Sequence, residues 1–359
     1  MSISFRKELD ELSAYKPGKP IEDVKKEYGL DEVIKLASNE NPLGTSPKVT
    51  EALKSEIDNL AIYPDGNATL LKETIADNLN IKPTQVLPSS GSDEMVDMIS
   101  KTFLDKEDEV IMADITFPRY ISTAKMMGAK PVVVPLKDWT YDLDGMKEAL
   151  TDKTKLIWLC NPNNPTGTMF AEEKLLNFLK EIPKDVVVVY DEAYREYVTR
   201  EDYPHDSMKL LKEYPNIIIM RTFSKMYGLA ALRVGYTMAS EEIIENINKI
   251  RGPFNVNRLA QVAAISALKD SDFVNKCYEV NKEGKEYLYK EFDNMNLEYA
   301  PSETNHIFVN VAEDAQEIFV KLQKRGMIIR PITGTWIRVS IGTMSQNKLF
   351  IKLLKEVLN

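Results

Sequence analysis

The sequence predicts an α/β fold, with a large domain built on a mostly parallel sheet between helices and a smaller α+β domain at the C-terminus. Two observations carry this. The apolar runs Val110–Ala113, Val132–Val134, Leu156–Cys160, Val186–Tyr190 and Ile217–Met220 are continuous rather than alternating, and amphipathic stretches separate them. Strands buried on both faces and joined by helical crossovers have that signature. Past Arg251 the texture changes to two helices, then short strands around a third.

In chain order, residues 1–30 read as an arm: a charged helical start, then a stretch ending at Pro20 whose prolines and glycine stop regular structure. Residues 31–270 make the large domain. Val33–Ala37 is strand-like and runs into the polar turn Ser38–Gly44, and the turn Tyr63–Gly66 precedes a helical pattern with Leu70, Leu71, Ile75 and Leu79 on one face. A second helix places Met95, Val96, Ile99, Phe103 and Leu104 at helical spacing, and residues 258–268 form a compact apolar helix. Residues 271–359 make the small domain: a long helix over 272–294, strands at 307–311, 327–329 and 336–341, and a last helix from Gln346. The charged patch Lys282–Glu286 reads as a solvated helix face.

With 359 residues, 43% hydrophobic and 28% charged, the chain has ample core for two domains or so. A formal charge of −9 repels nucleic acid and anionic membranes, so neither is expected as a partner. It repels anionic substrates too, so a phosphate or carboxylate ligand needs clustered arginines. Cys160 and Cys277 match no metal spacing, the two histidines, His205 and His306, read as structural, and no metal site is expected. A charged N-terminus and the lack of a long apolar run point to a cytoplasmic protein.

The polar clusters repeat one placement: each follows a buried strand. Phe117 follows one, Asn164 another, Asp191 and Tyr194 a third, and Lys225 a fourth. Any one of them is explained by a helix cap; four on one sheet edge, where open α/β sheets bind ligands, describe a site. A lysine held in a partly dry pocket is a nucleophilic amine suited to a Schiff base with an aldehyde. Asp191 needs a cation, such as a protonated ring nitrogen. Asn164 and Tyr194 suit a phenolate oxygen, and Phe117 offers a flat face to stack on. Gly91-Ser-Asp-Glu94 at a helix start, with Thr222, Ser224 and Arg233, suits a phosphate. Aldehyde, phenol, ring nitrogen and phosphate on one small ring describe pyridoxal 5′-phosphate.

The stretches Tyr15–Pro20, Lys35–Gly44, Tyr63–Gly66, Gly91–Glu94, Asn161–Gly167, Asp191–Tyr194, Arg221–Arg233 and Arg338–Thr343 occur in an order that resembles the class I/II aminotransferases of pyridoxal-phosphate fold type I. The resemblance covers nearly the whole chain. It implies a seven-stranded, mostly parallel sheet and a homodimer in which Tyr63 reaches the neighbouring subunit's phosphate. It implies that Lys225 binds the cofactor covalently and shuttles the proton, and that Asp191 holds the ring nitrogen protonated. Asn164 and Tyr194 bind the ring hydroxyl, Phe117 stacks, and Ser92, the Asp93 backbone, Thr222, Ser224 and Arg233 bind the phosphate. Tyr15, Asn39, Tyr120, Arg330 and Arg338 line the substrate side. Only Pro331–Ile337 separates the two arginines, a shorter connection than the resemblance leads one to expect.

The activity implied is transamination between histidinol phosphate or its imidazole-acetol phosphate counterpart and 2-oxoglutarate or glutamate, a step of histidine biosynthesis. An aromatic-amino-acid aminotransferase, a threonine-phosphate decarboxylase and a non-catalytic cofactor-binding protein are the alternatives. No Gly-x-Gly-x-x-Gly opens a strand-helix unit, which argues against a dinucleotide enzyme.

Overall fold

The computed structural model describes residues 3–14 and 18–358. Tyr15 lies outside them. The strands are β1 (Ile34–Lys35), β2 (Val86–Ser89), β3 (Glu109–Ala113), β4 (Lys130–Val134), β5 (Thr154–Cys160), β6 (Val187–Asp191), β7 (Ile217–Thr222), β8 (Gly235–Met238), β9 (His306–Asn310), β10 (Met327–Ile328), β11 (Arg330–Thr333) and β12 (Trp336–Ser340).

Seven of them form one sheet in the order β2-β8-β7-β6-β5-β3-β4. It is parallel except at β8, which runs antiparallel to β2 and β7. Strands β3, β5, β6 and β7 carry the continuous β-branched runs and are buried almost throughout, so their carboxyl ends open together on one edge of the sheet. Both edge strands, β2 and β4, carry a proline, Pro88 and Pro131. A residue that cannot donate to a ladder is tolerated there and not in the sheet centre.

The C-terminal part holds a second apolar core around Leu288, Phe292, Ile307, Val309, Ile337, Val339, Phe350 and Leu354. Its sheet has the order β11-β12-β9, all antiparallel. A third, two-stranded pair joins β1 to β10 in parallel, and Leu36 packs into the C-terminal core. The start of the 31–270 segment is thus bonded to the far end of the chain. The long helix Ser271–Asn294 spans both parts: Phe273, Val274 and Cys277 pack with Tyr194, Tyr197 and Met226, while Leu288 and Phe292 enter the C-terminal core.

Two details depart from expectation. Leu70 is exposed, and the helix Thr69–Leu79 buries Leu71, Ile75 and Ala76 instead. Lys282–Glu286 is not uniformly solvated. Lys285 is 5% exposed, and its Nζ donates to the Ser302 carbonyl at 2.8 Å, since this side of the helix packs beneath the turn that precedes β9. No described helix is long and apolar enough to cross a membrane.

Candidate active site

Asp191 ends β6 and is buried. Burial pushes its carboxyl up from 3.8 to about 6, against the opposing pull of two hydrogen bonds. Tyr120 Oη donates to Oδ2 at 2.7 Å and the Ala193 N–H donates to Oδ1 at 3.0 Å. No ion pair among the described residues reaches this carboxylate. A buried anion with two neutral donors and no cation fits a ligand that brings a positive charge.

Lys225 sits in the loop after β7, partly buried. Burial first, and then the Arg338 guanidinium, pull its amine down from 10.5 to about 8. Nζ donates to the Ser38 carbonyl at 3.1 Å and lies 5.8 Å from the centre of the Tyr194 ring. The Tyr194 hydroxyl accepts from Asn39 Nδ2 at 2.9 Å. Asn39 has a φ of 57°, a left-handed conformation that asparagine tolerates. It is locked there by Ser340, which exchanges two hydrogen bonds with it, and by Asn305, whose amide donates to its carbonyl at 2.9 Å.

Arg338, on β12, donates from Nη1 to Asn164 Oδ1 at 2.5 Å and from Nη2 to the Ala37 carbonyl at 2.6 Å. The short connection after Arg330 proves to be a hairpin turning at Gly334, whose φ is 52°. It sets Arg330 directly opposite Arg338 on paired strands, where side chains share a face. Two guanidiniums so placed suit an anion between them.

A third group gathers at the start of the helix Gly91–Phe103. Arg233, at φ 53°, lies 3.1 Å from Asp93 Oδ2 through Nη2 and 3.5 Å from Ser224 Oγ through Nη1. The Ser224 N–H donates to Thr222 Oγ1 at 3.1 Å. Gly91 has a φ of 77°, and a Cβ on it would stand 2.6 Å from Arg233 Nη2. A Cβ on Gly235 would stand 3.1 Å from the Ser92 nitrogen. The helix's free N–H groups, two hydroxyls and a guanidinium therefore converge where only glycine fits, a cradle suited to a phosphate. Together with the uncompensated Asp191 and the desolvated Lys225, these residues fit pyridoxal phosphate.

Two aromatic candidates remain. Tyr120 is fully buried, with its ring stacked on Trp158 at 4.4 Å and edge-on to Phe117 at 5.5 Å, so its hydroxyl is engaged by Asp191. Tyr63 is 74% exposed and stacks on Phe254 at 4.6 Å, beside the exposed Leu60 and Ile62.

The sequence model of the family described as "Aminotransferase class I and II" matches residues 31–354. The chain belongs to the class I and II aminotransferases. Within that family it is 49% identical to a histidinol-phosphate aminotransferase of Caldicellulosiruptor saccharolyticus, over 99% of this chain and 100% of that one. It is 48% identical to another of Moorella thermoacetica, over 98% and 92%. The crystal structure of histidinol-phosphate aminotransferase from Sinorhizobium meliloti in complex with pyridoxal-5′-phosphate superposes with a TM-score of 0.91 at 27% identity, covering 99% and 97% of the two chains. The resemblance read from the motifs, and with it the fold type, is borne out.

The aminotransferase site also holds residues that sequence reasoning passed over. Ser38 contributes only a backbone carbonyl, which no side-chain pattern announces. His306 is fully buried and edge-on to Tyr194 at 5.1 Å. Burial, Arg338 and Lys225 hold it neutral, with its pKa well below the usual value. The sequence reading of His306 as structural gave no sign that its ring faces the site.

Proposed function

We propose that this aminotransferase uses pyridoxal 5′-phosphate to transfer an amino group between histidinol phosphate, or its imidazole-acetol phosphate counterpart, and 2-oxoglutarate or glutamate. The carrying observation is the pairing of Lys225, an amine drawn toward neutrality, with Asp191, a buried carboxylate lacking a cation. The near-complete coverage of two histidinol-phosphate aminotransferases at 48–49% identity supports the substrate.

When bound, pyridoxal phosphate supplies an aldehyde that takes up an amine and a pyridine ring that accepts electron density. Lys225 is the amine that would anchor the cofactor, and, once displaced by substrate, it would remove the Cα proton and return it to the carbon that came from the aldehyde, on the far side of the shared nitrogen. With a pKa of about 8 it is mostly protonated at neutral pH but keeps a reactive minority of free amine, as a group that must both take and give a proton requires. Asp191 keeps the ring nitrogen protonated, with Tyr120 and Ala193 holding its ionised form. Tyr194 and Asn164 bind the ring hydroxyl, Phe117 covers the ring, and Ser92, Asp93 through its backbone, Thr222, Ser224 and Arg233 hold the phosphate.

On the substrate side Arg338 grips a carboxylate in one half-reaction, and Arg330 and Arg338 together grip a phosphate in the other. Asn39 orients Tyr194. Tyr63 serves the site of a second copy: the exposed surface of Leu60, Ile62, Tyr63 and Phe254 is the face that a partner covers in a homodimer.

The test is turnover of histidinol phosphate against phenylalanine under identical conditions, with 2-oxoglutarate as acceptor. A kcat/KM preference for histidinol phosphate is expected, and a preference for phenylalanine would overturn the substrate assignment. Sedimentation should give a dimer that Tyr63→Ala with Phe254→Ala weakens; a monomeric wild-type chain sinks the role given to Tyr63.

A further inference from the structure

One residue away from the proposed cofactor ligands lies a buried ionic cluster that the roles above leave unused. Glu192 follows Asp191, and Arg221 precedes Thr222. The ladder between β6 and β7 continues through this point, since the Glu192 N–H donates to the Met220 carbonyl at 2.9 Å. Consecutive residues of an extended chain point to opposite faces, so Glu192 and Arg221 lie on the side away from Asp191 and Thr222.

The Glu192 side chain is fully buried and Arg221 is 3% exposed. Arg221 Nε donates to Glu192 Oε2 at 2.9 Å, and its Nη2 donates to Ser207 Oγ at 2.9 Å. Ser207 Oγ donates to the same Oε2 at 2.9 Å, and Tyr203 Oη donates to Oε1 at 3.2 Å. Arg195 Nε, itself buried, approaches Oε2 at 3.7 Å. Such a cluster is weak evidence for stability, because desolvation of the two charges offsets most of their attraction and hydrophobic residues of the same volume serve as well. What hydrophobic residues cannot supply is direction: the Arg221–Glu192 hydrogen bond fixes one strand end relative to the other, and Ser207 and Tyr203 hold its carboxylate in place.

We propose that Glu192 and Arg221 are positioning residues, whose buried pair cross-ties the ends of β6 and β7 and sets the spacing between the ring-nitrogen side of the cofactor site at Asp191 and the phosphate side at Thr222 and Ser224. The inference rests on the functional reading above. It makes a distinction that simple loosening of the fold does not. Pyridoxal phosphate spans both sides and feels their spacing, whereas inorganic phosphate occupies one side and does not.

Equilibrium dialysis of the apo chain against pyridoxal phosphate, and against inorganic phosphate alone, tests it. A wild-type chain that takes up no pyridoxal phosphate sinks the functional reading itself and is recognised before any variant is made. Given wild-type binding, Glu192→Leu combined with Arg221→Met should keep the thermal midpoint within a few degrees. Its Kd for pyridoxal phosphate should rise roughly tenfold or more, the scale on which small misplacements act, while its Kd for phosphate stays unchanged. An unchanged cofactor Kd overturns the proposal, and so does a parallel loss of phosphate affinity. If the double variant does not fold, Arg221→Lys decides, since it keeps the charge and loses the planar fork. A raised cofactor Kd with unaltered phosphate Kd supports the cross-tie; wild-type values for both overturn it.

Discussion

The two halves of the site are built differently. Asp191, Thr222 and the loop of Lys225 hang from the ends of strands buried in a seven-stranded sheet, and each is fixed mainly by neighbours on that sheet or on the helices that cover it. Arg338, Arg330 and Asn39 come from a small hairpin and an early loop, which the β1–β10 pair, the packing of Leu36 and long-range hydrogen bonds bring to the same place. The first half is rigid by packing. The second joins two distant segments of the chain through a smaller core and several polar contacts, so it is the half that can respond to different substrates. Damage to the first should therefore appear in kcat and cofactor affinity, and damage to the second in KM.

Lys225→Ala is the severest case. Turnover should fall by about 10³-fold or more, because the amine that carries the proton is gone, and the bound cofactor should lose its visible absorbance. A variant that kept both would break the assignment. Arg338→Gln comes next: it removes a charge from a partly buried cluster, and kcat/KM for glutamate should fall roughly 10²-fold, mostly through KM. An equal loss confined to kcat would erase the contrast between the halves.

The smallest effect is electrostatic. Asp191 titrates at about 6 in the fold against 3.8 as its ordinary value, so its contribution to apo stability is lost as pH rises from about 4 to about 6. Lys225 titrates at about 8 against 10.5, so its contribution is poorest below about 8 and recovers as pH rises toward 10.5. Between about 6 and 8 both groups carry charge, and the apo chain bears both penalties at once. Apo Lys225→Met should melt a few degrees higher than apo wild type at pH 7, and the gap should close by pH 10. Tyr120→Phe deletes the hydroxyl that favours the ionised carboxylate, so the Asp191 window should extend upward. Melting curves of the apo proteins against pH check both.

That division also governs what could be read from residues alone. Strands β3, β5, β6 and β7 announce themselves because a strand covered on both faces needs unbroken Val, Ile and Leu, and the polar residues after them then stand out. β2 escaped notice because Pro88 reads as a breaker, although an edge strand accommodates it. The facing of Arg330 and Arg338 depends on the register of a hairpin, and Lys285 on what lies beneath one helix. Neither is written in local periodicity. Glu192 and Arg221 look like ordinary surface charges until β6 and β7 are laid side by side.

Ala37, Ser38 and Asn39 each hold one group of the proposed site: Arg338, Lys225 and the Tyr194 hydroxyl, respectively. Those partners lie 301, 187 and 155 residues further along the chain. Closing loops of that length is entropically slow, so this tripeptide is expected to dock late, after the elements it joins have formed. A chain cut short before β12 would lack Arg338 and leave the Ala37 carbonyl without that partner.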